Sequence, residues 1–497
     1  MNLETRKTDS PTSKCLIERL PPEIMFNIFD YLDHESRKSA SLACRRWEQI
    51  YSNYCTKRFV LCNYRCHDQS DFIWYRDPTT GDPACMLKHT QRTYRKVHLN
   101  LFFKEEKSII VDRKVSNALG ELLQPRWLQQ LVVLKLGMAL SPERFTVELS
   151  DAVAKMDHLQ ELRLHFMRED SDGPLFSKLK LVNASLNMLE VLDVWPGVID
   201  CPNLRSLTIG FPLYNKCKPY VLHRGQAPFW NMKQLKELTI IDRSLNIHLE
   251  FKDLFTGMEQ LCKLMPQIER LNCYGFAISE RELCIICESF VRLETLMLCT
   301  VKTHGANAFH HLRKLPNLRT LGIFNIYMRE LVSFASVSLP MLKKLLLGRL
   351  QYDARTMPNV FVLRRPGIKW RRMTRMPVFV NFAKNFNRLQ FLAVDLHLIY
   401  EPAALLAELR QIPDLETLVL DNVNCVGDLQ DVPFLPQLRR LVLYCWKNVD
   451  PSMLKDNIAV RLPNVNSIKV IFRFTPGCAT RSIGHACRRI CACCRPC

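Results

Sequence analysis

The sequence lacks the long apolar runs and the glycine loops on which membrane spanning and most nucleotide chemistry depend. No uninterrupted apolar stretch approaches the roughly 18–20 residues that a spanning helix needs, and no basic-then-apolar leader opens the chain. These absences predict an intracellular protein, cytoplasmic, nuclear or both. Only 16 of the 497 residues are glycine, and none of them forms a phosphate-binding loop or a dinucleotide fingerprint. A His-Glu-x-x-His pair and a Gly-x-Ser-x-Gly elbow are missing too. The 13 histidines are scattered, mostly without a carboxylate at useful spacing. A chain without catalytic residues and without a cofactor is expected.

Acidic residues are the scarcer charge. The formal net charge is +20, which favours an acidic partner, nucleic acid or an anionic surface through long-range attraction. No Asp or Glu occurs between Asp353 and Asp395, where Arg364, Arg365, Arg371, Arg372 and Arg375 lie around Trp370. This stretch reads as a solvated basic loop or as a reader of phosphorylated or acidic segments; nuclear targeting and nucleic-acid contact are further options.

Cysteine, by contrast, is abundant, at 21 residues, but odd in number and without framework spacing before the last twenty residues. Most of these are expected to be reduced thiols acting as small buried hydrophobes. Cys284-Ile-Ile-Cys287 has metal-like spacing but sits in an apolar helical pattern without a second pair. Cys55, Cys62, Cys66, His67, Cys85 and His89 carry zinc-type donors at spacings that fit no closed site well. No metal is expected. The Cys- and Arg-rich end closes on Cys494-Arg495-Pro496-Cys497, which lacks the aliphatic pair of a prenylation box.

What fills the chain is a repeat. The pattern apolar-x-x-apolar-x-apolar begins at Leu131, Leu159, Leu189, Leu204, Leu235, Ile268, Leu293, Leu318, Leu342, Leu389, Leu415, Leu438 and Val465, with a weaker copy at Tyr94. Seven copies place proline two residues ahead: Pro202, Pro266, Pro316, Pro340, Pro413, Pro436 and Pro463. Proline there ends a helix and pushes the chain into extended geometry. Stretches such as RELCIICESFVR and AALLAELRQI between copies read as helix, so each unit is expected to be one strand plus one helix. No such unit closes its own core, and neighbours must stack. Two spacings are irregular: 15 residues from Leu189 to Leu204 suggests a clipped repeat, and 47 from Leu342 to Leu389 an insertion or a degenerate repeat. The pattern resembles the leucine-rich repeat family. That resemblance implies a curved solenoid with parallel strands on its concave face and helices outside.

Ahead of the repeats, Leu20–Ile50 carries more apolar surface than two or three short helices can bury among themselves. Pro21 and Pro22 suit a first helical turn, Glu23 suits the positive end of its dipole, and Ile24, Ile28 and Leu32 recur at helical spacing beside Met25 and Phe29. The run Leu20-Pro21-x-Glu23-Ile24, then Ile28, Phe29, Leu32 and Leu42, then Cys44-x-Arg46-Trp47 resembles the F-box family in order and spacing. Arg37 and Lys38 depart from it, standing where the family has apolar residues.

The two resemblances together describe an F-box/leucine-rich repeat protein, an α/β chain with an N-terminal all-α F-box and a curved solenoid. They imply a non-catalytic substrate receptor of a Skp-cullin-F-box ubiquitin ligase. Leu20, Pro21, Glu23, Ile24, Ile28, Phe29, Leu32, Leu42, Cys44 and Trp47 would meet the Skp-type adaptor. Strand alternation nominates Tyr274, Phe324, Asp395, Asp421 and Tyr444, with the five arginines of the basic stretch, for a protein substrate. A basic scaffold or nucleic-acid-binding solenoid is the alternative. The expected organisation is a disordered N-terminus at 1–14, an F-box at 15–55, a linker or cap at 56–92, the solenoid at 93–475 and the Cys/Arg-rich tail at 476–497.

Overall fold

A computed structural model of the full chain describes residues 20–58, 60–62, 72–74, 83–89, 94–101, 108–138, 142–166, 176–211, 229–242, 262, 265–303, 307–328, 334, 336–348, 381–395, 402–423, 435, 437–446, 465 and 467–473. The chain divides into two compact units, residues 1–137 with 155–159, and 138–154 with 160–497. No helix among the described residues is long and apolar enough to cross a membrane.

The first unit begins with three helices, α1 (Pro22–Tyr31), α2 (His34–Ser41) and α3 (Arg45–Arg58), and continues through β1 (Val60–Cys62), β2 (Phe72–Trp74), α4 (Pro83–His89), β3 (Lys96–Leu101), α5 (Ser108–Leu122), α6 (Pro125–Leu128) and β4 (Val133–Met138). The strands lie in the order β2-β1-β3-β4. Pro22 takes the first turn of α1, where its missing N–H costs nothing. Asp33 starts α2 by accepting the Ser36 amide at 2.8 Å.

The second unit opens with α7 (Pro142–Ala154) and β5 (Glu161–Phe166). It continues through β6 (Phe176–Val182), β7 (Met188–Leu192), β8 (Trp195–Asp200), β9 (Ser206–Phe211), β10 (Phe229–Asn231) and β11 (Glu237–Asp242). Then come β12 (Arg270–Ser279), α8 (Glu280–Ser289), β13 (Thr295–Thr303), a 3-10 helix (Ala308–Lys314), β14 (Thr320–Met328) and β15 (Lys344–Leu347). The last elements are α9 (Phe382–Asn385), β16 (Phe391–Asp395), α10 (Pro402–Leu409), β17 (Thr417–Val423), β18 (Arg440–Trp446) and β19 (Ser467–Arg473).

One ladder runs β5-β7-β9-β11 and then from β12 to β19 in chain order, with every pair parallel. Its register stacks Leu189, Leu207, Leu238, Leu271, Leu296, Leu321, Leu345, Leu392, Leu418, Leu441 and Ile468 in a single column. Each strand is entered through a shared acceptor. The amides of Glu237 and Arg270 donate to Arg205 O and Lys236 O, as do those of the residues just before them, Lys236 and Glu269, all at 2.8–2.9 Å. The same double acceptance recurs at Gln160, Asn187, Glu269, Glu294, Arg319, Lys343, Gln390 and Glu416.

The prolines act one step earlier than the sequence suggests. Cys201 O accepts the Leu204 amide at 3.0 Å, and Leu315 O and Leu339 O accept those of Leu318 and Leu342 at 3.2 and 3.0 Å. Pro202, Pro316 and Pro340 therefore occupy the second position of a four-residue turn, where a fixed φ is pre-organised. The third residue of the turn, which follows a proline in every case below but Gln234, ties successive turns together. Asn203 Nδ2 donates to Ala184 O (2.8 Å), Gln234 Nε2 to Asn203 Oδ1 (3.1 Å) and Gln267 Nε2 to Met232 O (3.1 Å). Asn317 and Gln437 repeat the arrangement on Val291 O and Ile412 O.

Two sequence expectations change and a third narrows to one of its alternatives. First, the register pairs Leu189 with Leu207, so the copy read from Leu189 begins at Leu186, and the short repeat spans the 18 residues from Leu186 to Leu204. Second, not every repeat carries a helix: β6, β8 and β10 form their own parallel sheet in the order β10-β8-β6. Extended chain advances about 3.3 Å per residue against about 1.5 Å in a helix, so the 18-residue repeat crosses the stack as strand β8, and β6 and β10 pair on either side of it. Asp193 makes the turn between β7 and β8 in the left-handed region (φ 68°), its amide donating to Gly210 O at 2.8 Å. Third, the long gap is an insertion, because β15 and β16 pair directly from Lys344↔Phe391 to Leu347↔Val394. The flanks pack together as well: Phe334 meets Phe386 with ring centroids 5.8 Å apart, and Asn385 Nδ2 donates to Phe334 O at 3.0 Å.

α8 lies in the 25-residue repeat from Ile268 to Leu293. α8 starts with a reciprocal capping box, Ser279 Oγ accepting the Glu282 amide (3.3 Å) and Glu282 Oε2 accepting the Ser279 amide (2.6 Å).

Removing the 22 residues 353–374 brings the Leu342–Leu389 spacing from 47 to 25, the spacing of Leu293 to Leu318. The shortened protein is expected to keep the circular dichroism and cooperative thermal unfolding of the parent; loss of cooperativity would make the segment an integral repeat.

Candidate docking surfaces

In the three-helix segment α1 and α3 pack together, and α1 presents two apolar stripes rather than one. Met25 and Phe29, four residues apart, point inward; Phe29 is 0 % exposed and sits 5.5 Å from the rings of both Tyr51 and Tyr54. Phe29 is therefore the centre of the segment's own core and not a docking residue. Ile24, Ile28 and Tyr31 share the other stripe at i, i+4 and i+7. Ile24 is 45 % exposed and Tyr31 91 % exposed, and Leu42, just after α2, is 80 % exposed.

Of the remaining docking candidates, Pro21 and Glu23 are exposed, and Leu20, Ile28, Leu32, Cys44 and Trp47 are half-buried. Cys44 Sγ accepts the Trp47 amide at 3.5 Å. Arg46 reaches back to Leu20 O at 2.8 Å, so the last part of the motif fixes its first residue. Arg37 does not intrude on an apolar contact as its charge suggests. Its Nε donates to Phe29 O at 2.6 Å near the end of α1, with its guanidinium 5.8 Å from the Tyr54 ring centre. A cation there suits the free carbonyls and the negative end of the helix. Tyr54 Oη closes the stitch by donating to Asp30 Oδ1 at 2.7 Å.

The second surface is the strand face opposite the leucine column. Its middle is apolar: Leu192, Ile241, Tyr274, Met297, Leu346 and Ala393 form one buried cluster, with Phe324, Phe391 and Val419 packed against it. Tyr274, nominated as an exposed anchor, is buried in this belt with its ring 6.4 Å from that of Phe324; burial pushes its phenol well above the usual range. Phe324 and Tyr444 are half-buried. Asp395 and Asp421, register partners on β16 and β17, are buried as well. Alternation assigns a residue to a face but does not say whether that face is covered, which is why these three are corrected from exposed to buried. Lys344 lies 4.8 Å above the Phe391 ring, and desolvation lowers its ammonium pKa. Arg364, Arg365, Arg371, Arg372 and Arg375 lie outside the described residues.

Towards β5 the same face becomes polar. Arg163 meets Glu161 (2.7 Å) and Glu190 (3.5 Å), and His165 Nε2 lies 3.2 Å from Asp193 Oδ2. Sequence reasoning did not find these residues; strand-face charges one repeat apart were the available signal. Among the cysteines, Cys201, Cys273 and Cys287 are buried, and desolvation pushes the Cys201 thiol up to about 12. Cys287 points into the core while the Cys284 thiol donates to Glu288 Oε1 (3.4 Å), so the pair does not converge. No group of three or more metal-ligating side chains occurs among the described residues.

A family model described as F-box-like matches residues 17–60. Residues 17–60 are an F-box-like domain. The parallel, in-register ladder that follows it in the sequence is an α/β solenoid built on a leucine column. No curated protein matches the sequence. Among solved structures, an internalin (inlF) from Listeria monocytogenes str. 4b F2365 is 14 % identical over 69 % of this chain and 81 % of that one, with a TM-score of 0.35. A TLR13–ssRNA13 complex is 12 % identical over 71 % of this chain and 64 % of that one, with a TM-score of 0.26. The strand ladder, and not this likeness, carries the fold.

Within the F-box-like domain the two stripes of α1 separate stability from docking. Phe29→Ala is expected to cost about 3–5 kcal/mol by opening a cavity among Met25, Tyr51 and Tyr54, whereas Ile24→Ala, at an exposed site, should stay within about 0.5 kcal/mol. Hydrogen exchange over α1–α3 reads the difference; equal protection in the two variants would contradict the division.

Proposed function

We propose that this chain is the substrate receptor of a Skp-cullin-F-box ubiquitin ligase. The observation that carries the reading is the outer stripe Ile24–Ile28–Tyr31, with Ile24, Tyr31 and, beyond α2, Leu42 exposed, on a domain whose sequence matches the F-box-like family. F-box domains in general bind Skp-type adaptors, and an apolar face left open on a small domain favours such a cover. Burying Ile24, Ile28 and Leu42 at about 2 kcal/mol each provides roughly 6 kcal/mol before the cost of association. The contribution of the chain is proximity: the repeats hold a target protein while the cullin assembly brings the ubiquitin carrier. It supplies no nucleophile of its own.

The net charge of +20 favours a second reading, a basic scaffold that binds nucleic acid without recruiting a ligase. The combined variant Ile24→Asp with Leu42→Asp is expected to lose co-purification of a Skp-type adaptor and cullin while keeping the thermal unfolding of the parent. Undiminished recovery would remove the receptor reading. Retention on nucleic acid that falls steeply with salt would favour the scaffold.

A further inference from the structure

We propose that Tyr31 is a phosphorylation site whose modification releases the adaptor. The inference rests on the adaptor reading above and adds a means of reversing it.

The described tyrosines of the F-box-like domain differ sharply in access. Tyr51 and Tyr54 are buried against Phe29, and the Tyr54 hydroxyl is held by Asp30 at 2.7 Å. Tyr31 is 91 % exposed. It is the last residue of α1, and the chain becomes extended at once, with Leu32 at φ −88°, ψ 145° and Asp33 at φ −69°, ψ 171°. Helix ends fray readily, so this tyrosine can enter an enzyme cleft without unfolding the core. Asp30 and Asp33 flank it and favour a kinase with a basic substrate groove.

The reaction is phosphoryl transfer from ATP. The Tyr31 Oη–P bond forms as the bond from Pγ to the β–γ bridging oxygen breaks; ADP leaves, and the phenolic proton passes to the kinase base. The product carries roughly −1.5 to −2 charge at neutral pH. Three features make that charge unwelcome. It lies on the apolar stripe of Ile24 and Ile28, at the negative end of α1, and between two carboxylates that cannot easily turn away. Asp30 is engaged by Tyr54, and Asp33 by the Ser36 amide at 2.8 Å. Arg37, on the neighbouring helix, is committed to Phe29 O at 2.6 Å. Phosphate in an apolar interface, at a helix C-terminus or beside acidic residues is disruptive, and Tyr31 combines the three.

The test uses the full chain with phosphotyrosine incorporated at position 31, titrated calorimetrically with a Skp-type adaptor alongside the unmodified protein and Tyr31→Phe. The phosphorylated chain should bind at least about thirtyfold more weakly than the unmodified chain, which corresponds to about 2 kcal/mol, and Tyr31→Phe exposed to kinase and ATP should bind as the same variant does untreated. Treating the folded chain with a broad-specificity tyrosine kinase and ATP should place phosphate on Tyr31 and not on Tyr51 or Tyr54, read by peptide mass mapping. Unchanged affinity of the phosphorylated chain, or a kinase product lacking phosphate at Tyr31, overturns the switch alone. If the unmodified chain does not bind the adaptor, or if Ile24→Asp with Leu42→Asp binds as well as the parent, the adaptor reading itself fails and takes the switch with it.

Discussion

The repeat unit depends on one register. Leucines from successive strands lie at the same level, and each strand finds its level through a single carbonyl that receives two amides from the next repeat. A slip of one residue would turn the column to the opposite face, exchanging Leu321 for Thr320 and Leu345 for Lys344. That exchange places polar or charged groups in the core at most repeats, so the correct level is selected many times over. The turn ahead of the strand makes the choice local. A buried residue such as Cys201, Leu315 or Leu339 offers its carbonyl three residues on, and Asn or Gln at the third position grips the previous turn.

This economy explains what could be read from the chain. The column itself was legible, since leucine at fixed spacing is its direct trace, and so was the placement of α8, whose Ser279-x-x-Glu282 opening is a helix start signal. The amide ladder was equally present in the letters, as Pro-Asn-Leu, Pro-Gln-Ile or Pro-Gln-Leu ahead of several strands, but its meaning required knowing that successive turns touch. The frame at Leu189 was misplaced because MLEVLDV supports two phases three residues apart, and only pairing with Leu207 chooses between them. The second sheet was illegible for a different reason. β8 is a strand because its 18-residue repeat leaves little chain with which to cross, and β6 and β10 are strands through pairing with it, not because of strong local propensity.

In the F-box-like domain the order of the motif was read correctly, but Phe29 was read onto the outer face when it belongs to the interior. Ile24 and Met25, or Ile28 and Phe29, are adjacent in sequence, and a helical pattern merges them into one broad apolar face. The rings of Tyr51 and Tyr54 divide that face by claiming Phe29 for the interior. Arg37 shows the same limit in charge. As a letter it stands where an apolar residue is expected; in the fold it satisfies the Phe29 carbonyl and lies over an aromatic ring. Its aliphatic stem and planar head let a cation serve as packing.

The strand face carries the furthest consequence for recognition. Alternation correctly separates Tyr274, Met297 and Leu346 from the leucine column, yet these residues are buried too, so the sheet has apolar groups on both sides. Parallel sheets covered on both faces have this composition. Two neighbouring carboxylates, Asp395 and Asp421, end the belt in a buried setting, where like charges side by side persist only with compensating interactions. Such groups fix the local structure more readily than they capture a partner. On the receptor reading, the contact area left for a target shifts to the strand-entry edge. There Arg205, Lys236, Arg270, Arg319, Lys343, Arg439 and Arg440 are exposed, against fewer acidic residues, among them Glu237, which pairs with Arg270 at 3.7 Å. On that reading, an edge of such charge would favour acidic segments by steering and register. Specificity then comes from which cations lie one repeat apart, a spacing that the strand register sets.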